Sequence, residues 1–248
     1  PAVLLFCWWK RGTKSIELTK NNALELITLF AATLYSFLLP LKQTLSIVDS
    51  AIFFVIFAMY GWLSSKAHVE ETELEGPAKS IAALPKLQRR FTVAGLFLFA
   101  AVAIFMSAEP FAEGILDAGR HWGIEEFLLV QWLAPLASEA PEFIIAILFA
   151  LKGKPAVGLR ALVSSKVNQW TLLVGMLPAA YSLSAGSLAP MPLDARQVEE
   201  IFLTSAQSLF GLVLLMNLNF SIVEAAMLFV LFIIQIFFPQ AAVRYAFA

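Results

Sequence analysis

The sequence predicts an all-α, polytopic membrane protein, and three observations lead to that fold class. Of the 248 residues, 60% are hydrophobic and only 14% are charged, whereas a soluble domain carries about 25% charged residues. The apolar residues form runs of about 20, the length that an α-helix needs to cross a bilayer. Short charged or Gly/Ser/Pro-rich segments separate these runs. Because backbone groups in lipid must hydrogen-bond within their own segment, the runs are predicted to be helices.

Seven complete spans and one partial span are predicted in chain order. Residues 2–9 are too short to cross a bilayer and are interpreted as the end of a helix whose start is missing. The complete spans are residues 22–40, 45–64, 91–108, 126–151, 156–181, 199–217 and 220–238. A long polar stretch, residues 65–90, follows the second complete span and is predicted to be a flexible loop.

Lysine and arginine indicate the orientation, because they are enriched in cytoplasmic connections. Twelve of the 17 basic residues fall in connections on one side, which include residues 65–90, and four fall on the other side. The remaining one, Lys166, lies inside a span. The richer side is predicted to be cytoplasmic, which puts the C-terminus outside an integral membrane protein, in a membrane that we expect to be the plasma (inner) membrane.

Several other classes of protein are disfavoured. A net charge of -1 gives no reason to expect a nucleic-acid partner. Cys7 is the only cysteine, which excludes an internal disulfide or a cysteine zinc cluster, and His68 and His121 have no metal-ligand spacing. Ser165 and Lys166 are adjacent and therefore point about 100° apart on a helix, which disfavours a serine–lysine dyad. We expect neither an enzyme nor a resident cofactor.

The chain repeats itself at an offset of 175 residues. Residues 46–57 and 221–232 are identical at seven of twelve positions, and Asp49 matches Glu224 in charge. The same offset pairs Glu25 with Glu200. The alternative is chance similarity between apolar segments, but the polar positions match as well. By the distribution of basic residues, the two copies enter the bilayer from opposite sides, as in the inverted repeats of many secondary transporters.

The repeat predicts how the chain is divided. Residues 1–64 are interpreted as the end of a first inverted repeat, helices three to five of ten. Residues 65–90 form the cytoplasmic loop, and residues 91–248 form the second repeat, helices six to ten. The upstream partners of residues 91–175 would precede Pro1. A missing N-terminal half of the same protein is therefore an expected partner.

Charged residues within the predicted spans are candidates for function, since burying a charge in a bilayer costs several kcal/mol. Glu142 lies ten residues before Lys152, and so about 15 Å deeper along a helix. Glu139 lies one turn away on the same span, and Lys166 lies at a similar depth on the next span. A snorkelling side chain or a structural ion pair is the alternative for any one of them.

A proline lies between the two glutamates. Pro141 has no N–H, so the carbonyl of Ala137 loses its partner in the helix. Two carboxylates beside a freed carbonyl form an oxygen-rich pocket, the environment that Ca²⁺ prefers. A proline kink that serves only helix packing is the alternative interpretation.

Residues 137–178 resemble the second alpha-repeat of the cation/Ca²⁺ exchanger superfamily, which includes the Na⁺/Ca²⁺ exchangers. That family carries Gly-Thr-Ser-Leu-Pro-Glu in one helix, a Lys-Gly-Glu-Pro-like turn, and Gly-Asn-Val-Ile-Gly-Ser-Asn-Ile-Phe-Asn in the next helix. This chain has Ala-Ser-Glu-Ala-Pro-Glu at 137–142, Lys-Gly-Lys-Pro at 152–155 and Arg-Ala-Leu-Val-Ser-Ser-Lys-Val-Asn-Gln at 160–169. The number of spans, the central loop and the external C-terminus are also similar. The resemblance implies an inverted-repeat helix bundle of the exchanger type.

The resemblance also implies a set of cation ligands. Glu142 matches the acidic residue that binds the transported cation, Ser138 matches the motif's threonine, and Ser165 and Gln169 match further ligand positions. Glu139, an acid where the family has serine, is included in the candidate metal site.

Two further departures from the family motif concern basic residues, and a third is Ala161 in place of an asparagine. Lys166 replaces the asparagine of Gly-Ser-Asn, and Arg160 replaces a glycine. We hypothesise that Lys166 pairs with Glu139 and tunes the charge of the site, with its ammonium group in the space of a Na⁺ ion. Transport would then be independent of Na⁺.

The predicted function is secondary active antiport of a cation, Ca²⁺ against Na⁺ or H⁺, by alternating access. The partners implied are the lipid bilayer and inorganic cations. The alternative is a non-transporting membrane scaffold or regulator whose ion site is degenerate.

Overall fold

The computed structural model describes residues 1–19, 22–66, 76–124, 129 and 134–237. Its helices are α1 (Ala2–Arg11), α2 (Ala23–Ser36), α3 (Leu38–Lys42), α4 (Ile47–Lys66), α5 (Pro77–Ala82), α6 (Lys86–Trp122), α7 (Ala134–Leu151), α8 (Pro155–Asn168), a π-helical turn (Gln169–Leu173), α9 (Val174–Ala185), α10 (Ala195–Leu215) and α11 (Ile222–Phe237). Within these residues, four short strands connect helices: β1 (Ser15–Glu17), β2 (Thr44–Leu45), β3 (Met191–Pro192) and β4 (Asn219–Ser221).

The apolar runs do form helices, as the sequence predicts. Within the described residues, four helical stretches are long and apolar enough to cross a membrane: Ala23–Lys42, Ile47–Lys66, Lys86–Trp122 and Ala195–Leu215. Ile222–Ile234 is a shorter apolar helix. The predicted span 156–181 corresponds to α8, the π-helical turn and α9, which follow one another without a break. These helices confirm the all-α, polytopic fold class.

Two predicted boundaries were wrong. The span predicted to end at residue 108 continues through Pro110 to Trp122, where Gly123 ends the helix in the left-handed conformation with φ 65°. Pro110 lies inside this helix, which membrane helices tolerate because neighbouring groups satisfy the freed carbonyl. The polar stretch 65–90 also contains the short helix α5, and α6 already begins at Lys86. Residues 67–75 and most of 125–133 lie outside the described residues.

The chain forms two compact units. One comprises residues 1–67 and 141–248, and the other comprises residues 68–140. Both buried hydrophobic clusters described below belong to the first unit. The first surrounds Leu4, Ile16 and Ala146. The second surrounds Phe53, Val167 and Trp170, where α2, α4, α8 and the π-helical turn pack together.

The short strands tie together the ends of distant helices. β1 pairs antiparallel with β4, with Ile16 opposite Phe220. β2 pairs antiparallel with β3, with Leu45 opposite Met191. The topology predicted from the basic residues would put both strands of the first pair on one side of the membrane, and both strands of the second pair on the other side. The pairing is therefore consistent with the predicted order of spans.

The two strand pairs are related by the sequence offset of 175 residues. The offset takes Ile16 to Met191 and Leu45 to Phe220, so it converts one pair into the other. The main-chain bond from Leu18 N to the Leu218 oxygen, 2.7 Å, likewise corresponds to the 2.9 Å bond from Leu193 N to the Gln43 oxygen.

Backbone conformation recurs at the same offset. Gln43 and Leu218, which lie 175 residues apart, have positive φ angles of 54° and 57°. They are the non-glycine residues with positive φ in the described part of the chain. Such angles are uncommon for residues with a side chain, so their recurrence is not expected from two unrelated segments.

Capping explains why the repeat conserves a serine and an acid three residues apart. In α11, the Glu224 carboxylate accepts hydrogen bonds from the backbone and hydroxyl of Ser221, each 2.7 Å long. In α4, the Asp49 carboxylate accepts the same two bonds from Ser46, at 2.6 and 2.7 Å. Each serine and acid thus form a capping arrangement that satisfies amide groups at the start of a helix.

Candidate cation site

The predicted acidic ligands lie on α7. Pro141 lies inside this helix, which continues on both sides of it. Glu142 is exposed, as are Ser138 and Glu139 one turn earlier. Ser138 and Glu139 belong to the unit of residues 68–140, whereas Glu142 belongs to the other unit. The joint cation site of these residues therefore stays a prediction.

The predicted hydroxyl, amide and ammonium groups lie on α8 and at its end. Ser165 and Lys166 are half-buried on the last turn of α8. Lys166 lines a cavity of about 330 Å³, which α10 borders with Thr204, Gln207 and Ser208. The lysine therefore faces a partly polar cavity. The hypothesised contact between Lys166 and Glu139 would join the two units and remains a hypothesis.

Gln169 is the first residue of the π-helical turn. Its carbonyl accepts a hydrogen bond from the amide of Val174, five residues on, as a π-helix requires. Trp170 donates its indole N–H to the Ser208 hydroxyl at 2.9 Å, and the Thr171 hydroxyl donates to the Val167 carbonyl at 2.6 Å. These contacts stabilise the π-helical turn, which begins three residues after Lys166. π-Helical turns occur frequently at functional sites, but the sequence was interpreted as one uninterrupted span here.

Close contacts fix the start of α8. An added Cβ at Gly158 would lie 2.6 Å from the carbonyl oxygen of Ala146 on α7, so only glycine permits this approach. At the preceding turn, Arg11 donates to the Leu151 carbonyl at 2.8 Å and its guanidinium covers Gly153. The Lys-Gly-Lys-Pro turn is thus held by α1 on one side and by close helix packing on the other.

Two ion pairs within the described residues of the unit 1–67 and 141–248 were not predicted. Arg160 Nε donates to Glu25 Oε1 at 3.0 Å and joins α8 to α2. Lys42 pairs with Asp49, which also accepts a 2.6 Å bond from the Tyr35 hydroxyl. The sequence offers only one signal for these acids, namely that both recur at the repeat offset. Across the described residues, no group of three or more His, Cys, Asp and Glu side chains is placed to hold a metal ion.

Comparison with known proteins identifies the family. The model of the family described as sodium/calcium exchanger protein matches residues 92–239, more than half of the chain. Among solved structures, the chain is similar to the crystal structure of the H⁺/Ca²⁺ exchanger CAX, with a TM-score of 0.95 and 48% identity. The match covers 99% of this chain and 62% of the CAX chain. A comparison with curated proteins finds no match. The chain belongs to the sodium/calcium exchanger family of integral membrane proteins.

Proposed function

We propose that the protein containing this chain is an antiporter that exchanges Ca²⁺ for H⁺ across a membrane by alternating access. The observation that carries the proposal is the 48% identity, over 99% of the chain, to the H⁺/Ca²⁺ exchanger CAX. This chain spans 62% of the length of that protein. The remainder of the protein would therefore supply the other half of the cation site. Antiport converts no substrate chemically, so the proposal includes neither an enzymatic activity nor a cofactor besides the transported cation.

Within this chain, Glu142 is proposed as the main Ca²⁺ ligand. Ser138, Glu139, Ser165 and Gln169 are proposed to contribute further oxygen atoms. Carboxylate, hydroxyl and carbonyl oxygens suit a hard cation such as Ca²⁺. Glu142 is exposed on the surface of its unit. Its carboxylate is therefore available to a cation that another part of the protein also binds, which supports the assignment.

The proposed architecture consists of two inverted halves. Residues 1–64 would end the first half, residues 65–90 would form the cytoplasmic loop, and residues 91–248 would form the second half. The strand pairs related by the offset of 175 support this division. In this arrangement the C-terminus lies outside, and we propose the plasma (inner) membrane as the location.

The coupling ion is proposed to be H⁺ rather than Na⁺ because of Lys166. Its ammonium group stands where the family has asparagine. It would occupy the space of a bound Na⁺ and supply the same positive charge. The experiment measures Ca²⁺ uptake into vesicles containing the full-length protein, with either a pH gradient or a Na⁺ gradient imposed. We expect uptake with the pH gradient and none with the Na⁺ gradient.

A variant sharpens this test. Lys166→Asn restores the family residue and is expected to make Ca²⁺ uptake responsive to Na⁺, whereas Lys79→Asn, a change of an exposed lysine on α5, should not. A strict Na⁺ requirement in the unmodified protein contradicts the assignment of H⁺. Absence of uptake under both gradients favours the non-transporting scaffold or regulator instead.

A further inference from the structure

An ion pair connects two helices that are far apart in the chain. Arg160 Nε lies 3.0 Å from Glu25 Oε1, across 135 residues of sequence. Glu25 begins the buried face of α2, which continues through Thr28, Leu29 and Ala32. Arg160 lies in the second turn of α8, which packs along α2. The pair thus fixes the beginnings of both helices against each other.

The burial of Glu25 makes the loss of this ion pair unfavourable. Its side chain is 4% exposed, whereas that of Arg160 is 43% exposed. The second carboxylate oxygen of Glu25 is also buried, and within the described part of the chain it has no hydrogen-bond partner. A buried carboxylate without its cation is strongly unfavourable. The carboxylate is therefore expected to keep Arg160, and with it the start of α8, in one position along α2.

The position of α8 at Arg160 also determines where the proposed cation ligands farther along the helix lie. Ser165 lies five residues after Arg160, and Gln169 lies nine residues after it, where the π-helical turn begins. An α-helix is stiff over this distance, about 14 Å at 1.5 Å per residue. A shift or rotation of α8 at Arg160 therefore moves Ser165 and Gln169 as well.

We propose that Glu25 and Arg160 form a positioning pair, which sets the register of α8 on α2 and so places Ser165 and Gln169 for the cation. The inference rests on the proposed function for its consequence in transport, but its structural part does not. Neither residue is required to touch the cation. Arg160 stands where the related motif has glycine.

The experiment uses the full-length protein with the variants Arg160→Gln, Glu25→Gln and the exchange Glu25→Arg/Arg160→Glu. Two quantities are measured: the KM and maximal rate of Ca²⁺ uptake, and the distance between spin labels at Ile27 on α2 and Asn168 on α8, both exposed. Lys42→Gln is the matched control. It removes an ion pair of the same helical unit that does not involve α8.

The proposal predicts a changed or broadened label distance and a KM raised about tenfold or more in both single variants, with both quantities restored in the exchange variant. Lys42→Gln should lower the thermal midpoint of unfolding but leave the KM and the label distance unchanged. An unchanged label distance in Arg160→Gln would overturn the proposal whether or not the protein transports Ca²⁺. A raised KM in Arg160→Gln together with an unchanged KM in Glu25→Gln would also overturn it, because Arg160 would then act without Glu25. Absence of uptake by the unmodified protein would instead refute the proposed function.

Discussion

Asp49 shows how a carboxylate is accommodated among apolar helices. Its side chain is fully buried, and it accepts hydrogen bonds from Lys42, from the Tyr35 hydroxyl and from the backbone and hydroxyl of Ser46. Its counterpart Glu224 keeps only the serine in common, since residues 210 and 217 are phenylalanine and asparagine. The first copy therefore carries a phenol and an ammonium group that the second copy lacks.

The phenol of Tyr35 should contribute measurably to stability. Tyr35→Phe removes a donor to a buried charge, which we expect to lower the free energy of unfolding by about 1.5–3 kcal/mol. Thermal unfolding of the purified protein measures this change. Tyr181→Phe, which alters a tyrosine with 37% exposure, is the control and should have a smaller effect. Equal destabilisation by the two substitutions would contradict the role given to Tyr35.

Individual charges were easier to predict from the sequence than their partners. A glutamate or lysine within an apolar run is visible directly, as Glu142 and Lys166 were. The partners of Glu25 and Asp49 were not predicted, because no local spacing connects Glu25 to Arg160 across 135 residues. Burial of Glu25 depends on the packing of α2 against α8, which exists only in the folded protein.

Among the elements, hydropathy determines where the helices lie, whereas packing determines where their regular geometry is interrupted. Hydropathy predicted α4 to within two residues at each end. It did not predict the π-helical turn Gln169–Leu173, since one extra residue in a turn leaves the apolar composition unchanged. The turn is stabilised instead by tertiary contacts, in which Trp170 reaches Ser208 on α10 and Thr171 is completely buried.

Close packing at Gly158 provides a test at this scale. Gly158→Ala would place a Cβ 2.6 Å from a main-chain oxygen of α7, which cannot move away without displacing the helix. We expect the free energy of unfolding to fall by about 1–3 kcal/mol, as for other overpacked positions. Gly61→Ala is the matched control, because a Cβ there meets nothing within 4 Å and alanine favours a helix by about 0.5–1 kcal/mol. Thermal unfolding that ranks the two variants the other way would contradict this packing.

Across the chain, the internal repeat is the feature for which the sequence and the structure agree most closely. The match between residues 46–57 and 221–232 predicted a relation at an offset of 175. The strand pairs, the main-chain bonds and the positive φ angles of Gln43 and Leu218 recur at that offset. The strands themselves were not predicted, since segments of two or three residues carry no pattern of their own.

The arrangement of the strand pairs predicts which connections share a side of the membrane. In a protein whose Cys7 is replaced by alanine, single cysteines are introduced at Lys10 and Asn217, near β1 and β4, and at Leu41 and Ala189, near β2 and β3. A membrane-impermeant thiol reagent should label the first two from the cytoplasmic side only and the second two from the outside only. Labelling of Lys10→Cys and Asn217→Cys from opposite sides would contradict the predicted topology.

Glu142 is proposed to bind the transported cation. The most direct measurement is Ca²⁺ uptake, driven by a pH gradient, into vesicles containing the full-length protein, its Glu142→Gln variant, or Asp117→Asn as a control. Asp117 is exposed on α6 and pairs with Arg120. We predict that Glu142→Gln lowers uptake at least a hundredfold, because an amide cannot replace the carboxylate charge, and that Asp117→Asn transports normally. Undiminished uptake by a correctly folded Glu142→Gln variant would contradict the claim.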